Sequence, residues 1–182
     1  MERRILRMGD PRLLQRAEPV PASAFGSDWL GHLVRDLWDT LYAVGGAGLA
    51  APQIGEPWRV VVFESAENPR YPWAEPVPAT VLVNPRWTPD REAGWAGAWE
   101  GCLSLPGLRG WVERPARVRY EARDVAGRVI AGVAEGFHAR VLQHECDHLD
   151  GVLYPMRMRD LSRFGFLEEL TAAGVIPGKR AR

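Results

Sequence analysis

Gln143-His144-Glu145-Cys146-Asp147-His148 decides how this chain is read. On a helix, residues four apart share a face, so His144 and His148 present two imidazoles together. That pair can hold one metal ion, and Glu145 beside it is placed to act as a base. The chain has 4 histidines in all, so this placement favours a metal site over a solvated helix face. Working outward, Gly136 to Asp150 reads as the carrying helix, with Gly151 as its stop. Phe137, Val141, His144 and His148 fall on one face, which turns the histidines inward. Cys146 lies two residues from each histidine and points to the other side, so a structural role is expected for it. Arg140 lies four residues before His144 and is expected to line the entrance of the site, beside the substrate.

The second informative stretch is Glu100-Gly101-Cys102-Leu103-Ser104-Leu105-Pro106. A free cysteine is usually a small buried hydrophobe. Beside two helical histidines, Cys102 becomes the candidate third ligand. His32 and His138 are the remaining histidines, and His138 points elsewhere on an ideal helix. Three protein ligands leave an open position, which is the catalytic arrangement; a closed structural site uses four. Glu145 is then the acid/base and not a ligand. Glu100 is a poor core residue unless paired, with Arg109, Arg114 and Arg117 nearby.

A third stretch runs from Gly45 to Gly55. Its small residues, Gly46 and Gly48 among them, allow close backbone approach and suit a segment lining a substrate pocket. It has no phosphate-loop lysine and no preceding strand, so it is not a nucleotide loop. Gln53, after the rigid Pro52, is a fixed amide donor.

The remaining elements follow from pattern. Ser27 caps a helix to Tyr42, whose Trp29, Leu30, Leu33, Val34, Leu37, Trp38, Leu41 and Tyr42 form a core-facing stripe. Arg59 to Phe63 and Thr80 to Asn84 read as strands, the second stopped by Pro85. Glu64 to Pro78 reads as a surface loop and Trp87 to Trp99 as a turn-rich connection. Trp111 to Asp124 and Arg128 to Val133 read as strands joined at Asp124–Gly127, with Val118, Tyr120 and Ala122 alternating against charged residues. Asp160 to Leu170 reads as a third helix. Met1 to Pro21 reads as a lightly ordered arm that Leu13-Leu14 could anchor. Residues 174–182 read as a flexible basic tail.

At 182 residues the chain suits one catalytic domain, 1–182, with a real core. Hydrophobic residues are 46% and charged residues 25%, a globular balance. Zero formal net charge gives no basis for a nucleic-acid partner. There is no apolar run for a signal peptide or a membrane span. Two cysteines do not make a disulfide framework, and a reducing, cytoplasmic compartment is expected.

With these residues in hand, the sequence resembles the bacterial type of peptide deformylase. Gly46-Ala47-Gly48-Leu49-Ala50-Ala51-Pro52-Gln53, Glu100-Gly101-Cys102-Leu103-Ser104 and Gln143-His144-Glu145-Cys146-Asp147-His148 occur in that family's order. Ile5-Leu6 with Gly9-Asp10-Pro11 resembles its first strand and turn. The resemblance covers residues 5 to 156. It implies an α+β fold in which small antiparallel sheets wrap a central metal-binding helix. The implied activity is hydrolysis of the N-formyl group from the initiator methionine of new polypeptides, releasing formate. On this resemblance Cys102, His144 and His148 match the metal ligands, and Glu145 matches the acid/base. Gln53 and the backbone N–H of Leu103 match the oxyanion donors. Glu100 and Arg114 match a charged pair bracing the cysteine loop, and Arg109 matches a residue near the bound peptide. One divalent ion per chain is implied, Fe2+ natively, with Zn2+, Ni2+ or Co2+ able to occupy the same ligands. The expected partners are N-formyl-methionyl nascent peptides, with room for a transient ribosome association, on a monomer. The rival readings are a zinc endopeptidase and a noncatalytic metal-stabilised binding protein. The first normally draws its third ligand from farther along the chain, yet no histidine follows His148.

Overall fold

The computed structural model describes residues 1–65 and 75–176. Helix α1 spans Asp28–Val44; strands β1 Gly48–Ala50, β2 Val60–Ser65 and β3 Val77–Pro89 follow. Then come β4 Trp95–Cys102, β5 Leu105–Pro115, β6 Arg117–Arg123 and β7 Val129–Glu135. Helix α2 is Gly136–Leu149, β8 is Phe164–Phe166 and α3 is Leu167–Ala172. Two antiparallel sheets result, one of five strands in the order β1-β2-β3-β6-β7 and one of three in the order β4-β5-β8.

The sheets lie on two sides of α2. One side of the helix, with Val141, Leu142, Cys146 and Leu149, packs into a core with Val61, Phe63, Leu82 and Val118 of the larger sheet. The other side meets the smaller sheet through polar groups: Arg140 donates to the carbonyls of Ala96 and Val112, and His144 reaches Glu100. The helix is thus buried from both faces, and its histidines point at the strand that carries Cys102.

Local chemistry explains the boundaries. Ser27 Oγ accepts from the Leu30 N–H at 3.3 Å, and Gly45 ends α1 in the left-handed region at φ 64°, which glycine adopts without strain. Leu30, Leu33, Val34, Leu37 and Leu41 of the stripe are buried. Trp29 and Tyr42 are not: they remain 40% and 62% exposed and pack at the edge, Trp29 against Trp58 and Tyr42 against Trp38. The β6–β7 hairpin forms as the alternation predicts, with Asp124 Oδ1 accepting from the N–H groups of Ala126 and Arg128.

Several expectations are corrected. Pro85 does not stop its strand. The register of β3 shifts between Val83 and Arg86, and Asn84 adopts φ 53°. Asparagine tolerates that conformation, and its side chain pairs with both backbone groups of Val20 at 2.8 and 2.9 Å. A bulge is where a strand accepts proline, because no ladder N–H is needed there. Trp87 to Trp99 is largely strand: the end of β3, a short turn of helix at Arg91–Ala93, and the start of β4. The third helix is shorter than expected, since Phe164–Phe166 pairs with β5 as an edge strand. Ile5 and Leu6 lie outside the named strands, although the Leu6 N–H donates to the Gln53 carbonyl at 2.7 Å. Leu13 anchors the arm, buried at 1% exposure, while Leu14 is exposed. Most of the surface loop expected at 64–78, and most of the tail expected at 174–182, lie outside the described residues.

Candidate metal centre and active site

Cys102 ends β4, and the next two residues turn the chain into β5, so Cys102 pairs with Leu105. His144 and His148 stand one turn apart on α2, their rings 5.2 Å apart. Cys102 Sγ lies 3.2 Å from His148 Nε2 and also within hydrogen-bonding reach of His144. Among the described residues, Cys102, His144 and His148 form a group whose donor atoms all lie within 4.8 Å of one another. One ion with thiolate and imidazole bonds of about 2.3 and about 2.0 Å would hold such donors about 3.5 Å apart, so this set fits a single tetrahedral ion.

The supporting groups prepare those donors. His144 Nδ1 meets Glu100 Oε2 at 2.9 Å, which leaves the lone pair of Nε2 for a metal. Cys102 Sγ accepts from the Ser104 N–H at 3.4 Å and the Gln53 amide at 3.6 Å. Glu100 is fully enclosed. Burial alone would raise its pKa, but Arg114 and His144 outweigh burial and hold it below the usual carboxylate range. Arg114 reaches it with two nitrogens, at 2.6 and 2.9 Å, and donates to Asp147 at 2.8 Å. Of the three arginines the sequence left open, Arg114 is the one the family resemblance implied, and it pairs with Glu100 here, joined by Arg140.

Glu145 is buried in the opposite regime. Desolvation pushes its pKa up to about 7, against the pull of His144 and Arg114. Its Oε2 has no hydrogen-bond partner among the described residues. Its carboxyl lies against the bare Cα of Gly48, where any side chain would collide with it. Burial likewise drives the pKa of His148 well below its ordinary value, aided by His144 and Arg114. His144 goes the other way: burial lowers it, but Cys102 and Glu100 raise it further.

Gln53 is buried beside the same sulfur. Its Oε1 accepts from the Ala50 N–H at 2.8 Å, which fixes the amide orientation. One amide N–H is held by Ser104 Oγ at 3.1 Å; the other rests on Cys102 Sγ. Leu103 occupies the turn after Cys102 and packs near Gly46, where an added Cβ would come within 2.9 Å of its side chain. Arg109 folds over Gly101, with its Nη1 on the Leu108 carbonyl at 2.8 Å.

Arg140 departs from expectation. It is 9% exposed and does not face an entrance. Its Nη1 donates to Glu100 Oε1 at 2.6 Å and to the Val112 carbonyl at 3.0 Å, and its Nη2 to the Ala96 carbonyl at 2.6 Å. The helix face was read correctly, but the acceptors come from β4 and β5. Three contributors went unnoticed in the sequence. Ser104 is fully buried and orients Gln53. Asp147 links Arg114 to Arg157, whose Nη2 lies 2.7 Å away. Asp147 lies inside the motif, and a buried acid that stays ionised calls for a cationic partner, so that signal was available. Cys146 is buried in the core, where desolvation raises its thiol pKa, as its opposite helix face implied.

Comparison with known proteins agrees with this geometry. The family model of polypeptide deformylase matches residues 2–164. The chain is 55% identical over 168 residues to peptide deformylase 2 of Pseudomonas syringae, covering 92% of this chain and 93% of that protein. It is 56% identical over 170 residues to peptide deformylase 2 of Ralstonia nicotianae, covering 93% and 94%. The structure of the class I type b peptide deformylase from Acinetobacter baumannii bound to Met-Ala-Ser superimposes with a TM-score of 0.82 at 36% identity, covering 87% of this chain and 99% of that one. A peptide deformylase from Legionella pneumophila gives a TM-score of 0.75 at 36% identity, covering 90% and 89%. Matched along nearly its whole length, this chain belongs to the polypeptide deformylase family of metal-dependent hydrolases.

Proposed function

We propose that this chain removes the N-formyl group from the formyl-methionine of newly made polypeptides, with Cys102, His144 and His148 holding one divalent ion. The observation that carries the reading is the placement of Glu145. It is a buried carboxyl between two metal-binding histidines, with a pKa of about 7 and no competing hydrogen bond on Oε2. A group poised near neutrality can both take and return a proton. When bound, a divalent ion supplies Lewis acidity, which acidifies water and polarises a carbonyl.

Glu145 takes one proton from the attacking water as the water oxygen bonds to the formyl carbon. The carbonyl oxygen gains negative charge. The Gln53 amide, held in orientation by Ala50 and Ser104, donates to that oxygen, and the Leu103 N–H donates beside it. The C–N bond then breaks. Glu145 returns its proton to the amine nitrogen, giving formic acid and a free amine; the acid then loses its proton, so formate and an ammonium terminus leave. Gly48 leaves room for the Glu145 carboxyl and Gly46 for the Leu103 side chain, rather than for the substrate backbone, and Arg109 lies beside the peptide beyond the methionine. Glu100 and Arg114 brace His144 and the cysteine loop throughout. The described residues act as one catalytic unit.

A thiolate with two imidazoles suits ferrous iron as well as zinc, nickel or cobalt, and ferrous iron is the proposed native ion. A thiolate–iron site is sensitive to oxidation. A formylated nascent-chain substrate supports action in the cytoplasm with transient contact to the ribosome, and a monomer is the proposed state. No helix among the described residues is long and apolar enough to cross a membrane.

An anaerobic assay on formyl-Met peptides, with metal content measured on the same sample, tests this reading. Release of formate in proportion to bound metal, without internal cleavage, is expected. Internal peptide cleavage would favour an endopeptidase, and stoichiometric metal without hydrolysis would favour a binding protein.

A further inference from the structure

The carboxylate of Glu100 carries more cationic partners than the pairing with Arg114 requires. Arg114 Nε and Arg140 Nη1 both reach Oε1 at 2.6 Å. Arg114 Nη2 and His144 Nδ1 both reach Oε2 at 2.9 Å. A carboxylate offers about four lone-pair sites, and all are in use. Glu100 therefore acts as an acceptor only. That forces the proton of His144 onto Nδ1 and leaves Nε2 basic, the state a metal ligand requires.

Arg140 does more than add charge. Its two remaining contacts are backbone carbonyls on different strands, Ala96 of β4 at 2.6 Å and Val112 of β5 at 3.0 Å. These residues face each other's strands within a single hairpin, where Ala98 pairs with Val112 and Ala96 with Arg114. Six residues beyond Ala96, the same strand ends in Cys102. Four residues beyond Arg140, the same helix presents His144. One planar guanidinium thus ties the element bearing Cys102 to the element bearing both imidazoles. Lysine cannot span three acceptors in that fixed plane.

We propose that Arg140 is a positioning residue of the metal centre. It sets the distance between the cysteine strand and the histidine helix, and it holds Glu100 for His144, so that its loss weakens metal retention and distorts the ligand geometry. The inference rests on the metal-site reading of Cys102, His144 and His148, and it does not depend on the deformylation reaction.

The test compares wild type, Arg140→Met, Arg140→Lys and the surface control Arg128→Gln, whose ion pair with Asp124 lies in an exposed hairpin. Metal dissociation constants are measured by chelator competition. The Co2+-substituted proteins are examined by absorption spectroscopy, since the d–d and sulfur-to-metal bands report ligand geometry. Thermal unfolding of the metal-free forms reports the fold separately. Arg140→Met should bind metal about 10- to 100-fold more weakly, the range for losing such a supporting partner, with altered Co2+ bands. Arg140→Lys keeps the positive charge in the buried cluster and should fold; its affinity should fall between the two. Arg128→Gln should match wild type in every readout. A lower melting temperature for Arg140→Met, with unchanged metal affinity and Co2+ spectrum, would reduce Arg140 to a structural tie and overturn the proposal. Wild-type affinity and bands in Arg140→Lys would also overturn it, and that variant decides the matter if Arg140→Met does not fold. If wild type itself binds no metal at this site, the underlying site reading fails instead, and that failure is distinguishable.

Discussion

Glu100 and Glu145 are both buried glutamates, yet their surroundings drive them apart. Glu100 is matched by two guanidiniums and an imidazole and stays ionised; Glu145 has no direct ion pair among the described residues, and desolvation raises it to about 7. On the proposed reading, this difference makes one a brace and the other a proton carrier. It also predicts a linkage in the metal-free protein. Between about 4.5 and about 7 the unfolded chain has lost the Glu145 proton while the folded chain retains it. The folded state then binds more protons, so this group's contribution to stability falls as pH rises through that window. Glu145→Gln should remove that decline. Identical pH dependence of stability in the two proteins would contradict the assignment. Gln53 belongs to the same scale. Gln53→Ala should cost about 100-fold in kcat, roughly 3 kcal/mol, and leave metal content intact. An unchanged kcat would remove Gln53 from the oxyanion site. At this scale much was legible, because helical spacing fixes which side chains share a face. Arg140 was misread because a helix face gives direction only. Its acceptors at Ala96, Glu100 and Val112 lie 28 to 44 residues away in sequence, brought in by a hairpin that no local pattern places.

Helix α2 and the β4–β5 hairpin are the elements that make the site, and ion pairs join them rather than apolar packing. Arg114 on β5 reaches Glu100 on β4 and Asp147 on α2, all nearly inaccessible to water. Such pairs are weak evidence of net stability, but breaking one strands a buried charge. Arg114→Met should therefore destabilise the metal-free protein by about 3 kcal/mol or more in chemical denaturation. A change below about 1 kcal/mol would mean that Arg140 and Arg157 suffice to neutralise Glu100 and Asp147. The helices were readable because their stripes and caps are local signals. Strand limits were less so. Pro85 reads as a stop until the bulge at Asn84, held by Val20 from the amino-terminal arm, gives the proline a place. Phe164–Phe166 looks helical in periodicity, but the open edge of β5 captures it as a strand.

Across the whole molecule, α2 separates a dry half from a chemical half. Cys146 faces the apolar core of the larger sheet, and Cys102 faces the histidines from the smaller one. Two cysteines of one chain thus face opposite surroundings. Cys102→Ala should lose metal and activity together, whereas Cys146→Ala should retain both at a stability cost of about 1 kcal/mol. Full metal occupancy in an active Cys102→Ala protein would refute the ligand set, and loss of metal from a folded Cys146→Ala protein would reverse the face assignment. The central claim, that Glu145 moves the proton and does not bind the metal, is tested most directly by single-turnover deformylation with metal-loaded Glu145→Gln under anaerobic conditions. An amide cannot cycle a proton, so the variant should keep its metal and bind formyl-methionyl peptide while its chemical rate falls by about two to four orders of magnitude. A near-normal chemical rate, or loss of the metal, would contradict the account.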